Sequence, residues 1–188
     1  MKLETARLLL KPPTEEDIDA ITAVASDWRV AEMTLMPHPY CADDARAWIQ
    51  GTGLRWQEHG MGGFAVFTRH GLAFIGAIGI RPTLIPGHAS TGYWFCPSIW
   101  GRGFATEALR EIFRFGFEVK NLDRIEAEHL AINPASGRVM EKAGMREHVK
   151  VDLIDRDGER LVPGIRRYIH AEEWRSSFLK SNADLVPT

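Results

Sequence analysis

The sequence has few cysteines and no long hydrophobic run. Only Cys41 and Cys96 occur in 188 residues, which is too few for a disulfide framework, so we expect a reducing, cytoplasmic location. The longest apolar stretch, residues 72–80, contains glycines and is far shorter than the roughly 20 residues that a membrane-spanning helix needs. Residues 1–7 lack the charged-then-apolar pattern of a secretory signal. These absences predict a chain that neither enters a membrane nor is secreted.

An excess of charge of one sign is also absent. The formal net charge is -2, so there is no overall basic footprint for nucleic acid or anionic membrane. The seven histidines show no HxxxH or CxxC spacing, and we therefore expect no metal site. A chain of 188 residues with 45% hydrophobic and 26% charged residues is typical of one globular domain. We expect that domain to span residues 1–188, with a frayed tail after about residue 175.

Two glycines stand between a strand-like segment and a helical one. Residues 91–96 have strand character, residues 107–117 have helical character, and Gly101 and Gly103 lie between them. Glycines permit a tight turn that points successive N–H groups into one concavity, and the following helix adds its free first-turn donors and the positive end of its dipole. The unit predicts a binding site for a phosphate or pyrophosphate group.

Two common nucleotide sites do not fit this loop. The dinucleotide fingerprint needs a third glycine where this chain has Thr106, and an acidic residue at the end of the next strand, where it has Ile132 and Asn133. The GxxxxGK[ST] pattern of P-loop proteins does not occur. The phosphate-bearing ligand is therefore expected to belong to another class.

Hydrophobic periodicity predicts an α+β domain. The expected fold is a mixed, mostly antiparallel central sheet with helices on both faces, in which one βαβ unit carries the glycine loop. Thr14 and Asp17 form a predicted capping box before the first helix, and Asn133 is a predicted N-cap. Strands are expected over residues 8–10, 64–68, 72–80, 91–96, 124–132, 149–154 and 167–170, and a loop over residues 81–90.

A second motif follows the next strand directly. It begins at Asn133 and Pro134, includes Ser136, and ends at Gly144. Together with residues 100–108, it resembles the GNAT acetyltransferases, and most closely their RimJ/RimL-like group, which modifies ribosomal-protein N-termini and related amines. Residues 3–10, 92–97, 124–127 and 167–174 are also similar to that group, so the resemblance covers residues 3 to about 175. It implies the GNAT fold.

The resemblance implies acetyl-CoA as co-substrate and no metal. In this family the backbone N–H groups of the glycine loop bind the pyrophosphate, which here means Gly101, Arg102, Gly103, Phe104, Ala105 and Thr106. The Arg102 side chain either adds charge to the phosphates or is solvated. The strand before the loop parts from its neighbour and pairs with the pantetheine arm through Tyr93, Trp94 and Phe95. Asn133 and Ser136 complete the implied cofactor contacts.

The implied reaction is direct transfer of acetyl to a primary amine, without a covalent enzyme intermediate. Many relatives donate a proton to the leaving thiolate from a tyrosine at the position of Met140, which has no proton to give. The RimL-like group uses a serine at the position of Ser136, our expected catalytic acid. For the base we favour Glu128, with Glu126, Glu107, His88 and His129 as alternatives.

The sequence leaves the acceptor open. The resemblance favours the α-amine of a protein or peptide N-terminus, while a small amine such as an amino acid, polyamine or antibiotic is the alternative. A non-catalytic acyl-CoA-binding protein is the third hypothesis, and a homodimer also stays open. A strongly acidic acceptor pocket would favour a polyamine, whereas a neutral, open groove would favour a peptide.

Overall fold

A computed structural model describes residues 1–176 and contains one eight-stranded sheet. The spatial order of its strands is β1-β2-β3-β4-β5-β6-β8-β7. Neighbouring strands are antiparallel throughout, except that β5 and β6 are parallel. The strands are β1 Leu3–Glu4, β2 Leu8–Lys11, β3 Gly63–Thr68, β4 Phe74–Pro82, β5 His88–Phe95, β6 Arg124–Leu130, β7 Glu147–Ile154 and β8 Leu161–His170.

Helices cover both faces of the sheet, as predicted. The predicted capping box of Thr14 and Asp17 is present at the start of the first helical segment. The longest helix is capped at its C-terminus by Gly60, whose φ of +59° places it in the left-handed region that favours glycine. The helices are α1 Ile18–Ala25, α2 Trp28–Glu32, α3 Ala42–His59, α4 Phe104–Arg114 and α5 Pro134–Ala143, with a π-helical turn at Phe115–Val119.

Two apolar cores lie on opposite faces of the sheet. The larger one packs α4 and α5 against the strands through fully buried residues such as Ile112, Phe113 and Ile125. The smaller one packs α1 and α3 through Ile21 and Ala45. Alternate side chains of β5 and β6 therefore face different helices, which decides the side of the sheet on which each polar group lies.

Several predicted boundaries were wrong. Residues 81–90 are not one loop, because β4 continues to Pro82 and β5 already begins at His88. The predicted strand 167–170 is the end of the longer β8, and α2 was not predicted. Glycines and two prolines within residues 79–92 concealed the full length of the β4–β5 pairing. Residues 171–176 are helical, and the expected frayed tail otherwise lies outside the described residues.

In the part of the chain that the structure describes, no helix combines the length and apolar character required to cross a membrane. In the same residues, no group of three or more His, Cys, Asp and Glu side chains is placed to hold a metal ion.

Candidate active site

Strands β5 and β6 lie side by side only over their first halves. Their parallel pairing runs from His88 opposite Arg124 to Thr91 opposite Ala127 and ends there. Beyond that point β5 continues to Phe95 against β4, whereas β6 continues against β8. The strands therefore part, as the resemblance implies. We call the gap between residues 92–95 and 128–130 the fork, and it opens into a cavity of about 650 Å³.

The β5 edge that faces the fork offers free peptide groups. Cys96 N–H donates to the carbonyl of Ile75 on β4 at 2.8 Å, so by alternation the peptide groups of Tyr93 and Phe95 point into the fork. Trp100 Nε1 donates to the Phe95 carbonyl at 2.8 Å. Within residues 1–176, the N–H and C=O of Tyr93 and the N–H of Phe95 are left for an extended ligand.

Trp94 is placed differently from its two neighbours. It lines the cavity, but the same alternation turns its peptide group toward β4. Its ring packs against Phe74 with centroids 5.8 Å apart. Of the three β5 residues expected to bind the cofactor, Trp94 is the one that offers a side-chain surface rather than backbone hydrogen bonds.

The glycine loop ends in an uncapped helix. Gly101 and Gly103 have φ values of +75° and +80°, a region that side chains disfavour. Gly103 is the N-cap of α4 and supplies no side-chain cap, so the first N–H groups of this helix are free to bind an anion. Five of the six predicted loop residues line the cavity, namely Gly101, Gly103, Phe104, Ala105 and Thr106. The sixth, Arg102, lies outside the lining and places its guanidinium 5.3 Å from the centroid of the Phe104 ring.

The start of α5 closes the other side of the cavity. Asn133 is its N-cap, as predicted, because its Oδ1 accepts a hydrogen bond from Ser136 N–H at 3.1 Å. Its Nδ2 donates to the Met33 carbonyl, just after α2, at 2.9 Å. Asn133 therefore joins the α5 terminus to the segment that covers the cavity, and both Asn133 and Ser136 line it.

A pair of hydroxyl groups lies across the fork. The Tyr93 hydroxyl is 2.9 Å from Ser136 Oγ, and either can donate to the other. The Tyr93 hydroxyl can also donate to the Ser136 carbonyl at 3.1 Å. Burial raises the pKa of the Tyr93 phenol above its ordinary value, and this outweighs the opposing effects of Ser136 and the Arg167 charge. The phenol is therefore a protonated hydrogen-bond donor at neutral pH.

Glu128 lies beside the fork, and one of its two carboxylate oxygens is bound by an arginine. Arg166, its partner on β8, donates from Nε to Glu128 Oε1 at 2.6 Å and also contacts Oε1 through Nη2. The hydrogen bond to Glu128 raises the pKa of the Arg166 guanidinium. Both contacts use Oε1, so within residues 1–176 Oε2 has no partner. Glu128 lines the main cavity and an adjoining one of about 530 Å³.

The other candidate bases differ in their surroundings. Glu107 accepts hydrogen bonds from Thr5 Oγ1 and from the backbone and side chain of Arg7, at 2.6 to 2.9 Å, so it anchors the N-terminal strands to α4. Glu126 pairs with arginines on both sides. His129 is buried against α5 with Nδ1 2.9 Å from the Leu130 carbonyl. His88 lies at the paired end of β5, away from the fork.

The family model for the acetyltransferase (GNAT) domain matches residues 7–146 of this chain. The chain is a GNAT acetyltransferase. The predicted membership is confirmed, and the activity of the family, transfer of acetyl from acetyl-CoA to an amine, is that of this chain. The fork and the glycine loop both lie within the matched region.

Curated relatives support the same activity. An uncharacterised N-acetyltransferase of Bacillus subtilis, YoaA, is 31% identical over 147 residues, which cover 77% of this GNAT chain and 82% of the relative. The FsC-acetyl coenzyme A-N(2)-transacetylase of Aspergillus fumigatus is 30% identical over 186 residues, covering 92% of this chain and 77% of the relative. Both relatives align along most of the domain.

Solved structures share the fold. A GNAT-family acetyltransferase from Bacillus anthracis superposes with a TM-score of 0.79 at 24% identity, over 92% of this chain and 99% of the other. RimJ of Mycobacterium smegmatis in complex with CoA-disulfide gives a TM-score of 0.77 at 21% identity, over 97% of this chain and 93% of the other. The predicted GNAT fold is thus confirmed.

Some residues at this GNAT site were not foreseen from the sequence. Tyr93 was expected to contribute only through its backbone, yet its side-chain hydroxyl contacts Ser136 Oγ. Arg81 was expected in a loop, yet it lies on β4 and lines the cavities beside the fork. The alternation of β5 places Tyr93 and Phe95 on the α4–α5 face, and that signal was available in the sequence. The continuation of β4 to Pro82 had no comparable signal.

Proposed function

We propose that this N-acetyltransferase acts on the α-amine of a peptide or protein N-terminus. The observation that carries the proposal is the balance of charges around Glu126 and Glu128, which line the side of the fork where the acceptor would enter; we call this the acceptor side. Glu126 Oε2 lies 3.2 Å from Arg124 Nη2, and Glu128 Oε1 accepts a hydrogen bond from Arg166. These carboxylates are neutralised by arginines, whereas a polyamine site needs unpaired negative charge. An opening lined by paired charges of both signs suits a peptide better than a polyamine.

The residues of the fork and the glycine loop fit acetyl-CoA. Two positive-φ glycines and the uncapped α4 terminus form a concavity of N–H donors for the pyrophosphate. The free edge of β5 at Tyr93 and Phe95 lies between that concavity and Ser136, where the pantetheine arm can pair as an added strand. We therefore assign pyrophosphate binding to residues 101–106 and pantetheine binding to residues 93–95.

Transfer then needs one bond to form and one to break. The neutral amine nitrogen attacks the carbonyl carbon of the thioester, and the carbon–sulfur bond breaks, so that acetyl moves directly to the amine. A backbone N–H of Tyr93 or Phe95 is placed to stabilise the developing oxyanion. Glu128 Oε2, left open while Arg166 holds Oε1, accepts the amine proton, either directly or through a water molecule.

The leaving sulfur departs as a thiolate and requires a proton. We propose that Ser136 Oγ donates it and regains a proton through the Tyr93 hydroxyl 2.9 Å away, which in turn recovers a proton from solvent once the products leave. The raised pKa of the Tyr93 phenol keeps this donor protonated over the whole physiological range. Ser136 is thus the catalytic acid, and Tyr93 supports it.

A small-molecule amine is the second candidate acceptor. The observation that favours it is the similarity to the FsC-acetyl coenzyme A-N(2)-transacetylase, at 30% identity over 92% of this chain. This acceptor class would use the same acetyl-CoA residues and the same proton transfers. The two candidates differ only in what fills the acceptor side.

The test is release of free thiol from acetyl-CoA over a panel of N-terminal peptides, amino acids and polyamines. We expect release with peptides, and at least a hundredfold loss of kcat in Ser136→Ala and Glu128→Gln. Ser26→Ala, which removes an exposed hydroxyl at the end of α1, is the matched control and should retain full activity. Release with small amines alone would favour the second candidate, and acetyl-CoA binding with no release would favour the acyl-CoA-binding protein.

A further inference from the structure

A groove with a glycine floor leads away from the fork on the acceptor side. Gly79 of β4 lies directly opposite Gly92 of β5, and a Cβ added at Gly92 would meet nothing within 4 Å. The groove has a volume of about 260 Å³, and Trp48 of α3 and Trp94 form its walls. Since Gly92 is the first residue of the fork, the groove opens into the fork at the end where Glu128, the proposed base, lies.

The arginines that line this groove carry the charge available to a ligand. Arg55 and Arg81 line it, and Arg55 donates to Thr52 Oγ1 at 3.1 Å. The Arg81 side chain is exposed and makes neither a hydrogen bond nor an ion pair within residues 1–176. Glu128, by contrast, is already held by an arginine. The unpaired charge that faces an acceptor is therefore positive.

The register of the sheet places Arg81 at a defined distance from the chemistry. Arg81 lies opposite Ser90, and Ser90 lies opposite Glu126, so the three residues form a row across β4, β5 and β6 on one face. Strands are about 4.8 Å apart, which puts the Arg81 and Glu126 backbones about 10 Å from each other. Glu128 is two residues further along β6, at the fork. The Arg81 guanidinium can therefore contact an extended peptide at a residue no more than about two positions from the α-amine that reacts.

We propose that the acceptor carries a carboxylate at its first or second residue, and that Arg81 binds it. The inference rests on the proposed function, since it concerns the acceptor of the same transfer. Arg81 determines specificity by pairing its guanidinium with that carboxylate, a geometry that arginine favours. The acceptor class is an acidic peptide N-terminus, and cationic acceptors such as polyamines are repelled.

The experiment measures thiol release with three C-terminally amidated peptides that start Ala-Asp, Ala-Asn and Ala-Lys and are otherwise identical. For the unmodified enzyme we expect the KM of the Ala-Asp peptide to be about ten- to a hundredfold lower than that of Ala-Asn, with similar kcat. Arg81→Gln should abolish this difference, and Arg81→Glu should shift the preference to Ala-Lys. Arg46→Gln, on the exposed surface of α3, is the matched control and should leave the preference unchanged.

Two results would overturn the inference in different ways. Equal KM values for the three peptides with the unmodified enzyme, or an Arg81→Gln variant that slows all three equally, would refute the role of Arg81 and leave the proposed function intact. No thiol release with any amine, although acetyl-CoA binds, would refute the proposed function and this inference with it.

Discussion

Replacing Tyr93 with phenylalanine removes one oxygen atom from the site and tests the paired hydroxyls. The ring stays on the α4–α5 face, where it packs against Phe95 with centroids 6.2 Å apart, so the core and the β5 edge are preserved. The change removes the bonds from the Tyr93 hydroxyl to Ser136 Oγ and to the Ser136 carbonyl, at 2.9 and 3.1 Å. In the proposed mechanism, Ser136 then has to protonate the leaving thiolate without Tyr93 to pass it a new proton.

The expected effects on activity and stability have different sizes. A positioned acid contributes about 10²- to 10⁴-fold to a rate, and because Ser136 remains, we expect the lower end, a loss of about a hundredfold in kcat, or about 2.7 kcal/mol. Loss of a neutral hydrogen bond costs about 1 kcal/mol of stability, which lowers Tm by about 2–4 °C in a domain of this size. The loss of activity should therefore greatly exceed the structural cost.

Steady-state thiol release gives kcat and both KM values, and thermal unfolding gives Tm. The KM for acetyl-CoA should change little in Tyr93→Phe, since the backbone of Tyr93 is unaltered. The raised pKa of Tyr93 predicts that kcat of the unmodified enzyme does not fall between pH 7 and about 10 through loss of this proton. A Tyr93→Phe variant with kcat within twofold of the unmodified enzyme would remove Tyr93 from the mechanism.

Two further predictions concern Glu107, which ties the N-terminal strands to α4, and the glycine loop before α4. Partial burial raises the pKa of Glu107, but hydrogen bonds from Thr5 and Arg7 lower it overall from 4.5, so its stabilisation is present at neutral pH and is lost as pH falls through the lower folded value. Glu107→Gln should therefore lower the free energy of unfolding by about 1–3 kcal/mol at pH 7, with a smaller difference below about pH 4, as measured by urea unfolding; equal stability at pH 7 would contradict this. Gly103→Ala should cost about 1–2 kcal/mol because its φ is +80°, and should raise the KM for acetyl-CoA. Gly158→Ala, at φ +77° in the β7–β8 turn, should match the stability loss and leave that KM unchanged.

The elements with strong local signals were predictable from the sequence. The Thr14 capping box, the Asn133 N-cap and the glycine loop before α4 all rely on contacts between residues close in the chain. The strand order was not predicted, because pairing between β6 and β8 joins residues such as Glu128 and Arg166 that are far apart in sequence. The length of β8 was underestimated because its first half contains Pro163 and Gly164, two residues that are disfavoured in strands.

The backbone features of the candidate site were predicted from the sequence, whereas contacts between side chains that are distant in sequence were not. The positive-φ glycines and the parting of β5 from β6 are consequences of local conformation and of strand topology. The partners of individual side chains could not be predicted in this way. Whether Glu128 is free or held by Arg166, and whether Arg81 is paired, depends on register between distant strands, which one sequence does not display.

The departure from the family at Met140 and the hydroxyl pair at Tyr93 have one structural explanation. Met140 is 1% exposed and belongs to the core beneath α5, so its position faces the sheet. Ser136, one turn earlier on the same helix, faces the cavity, and its small side chain leaves room for the Tyr93 hydroxyl to reach it from β5. A tyrosine at position 140 would have to displace buried core side chains, a change that costs about 1–3 kcal/mol in overpacking. We therefore predict that the proton donor lies in the first turn of α5, at Ser136 beside the Tyr93 hydroxyl, and not at position 140.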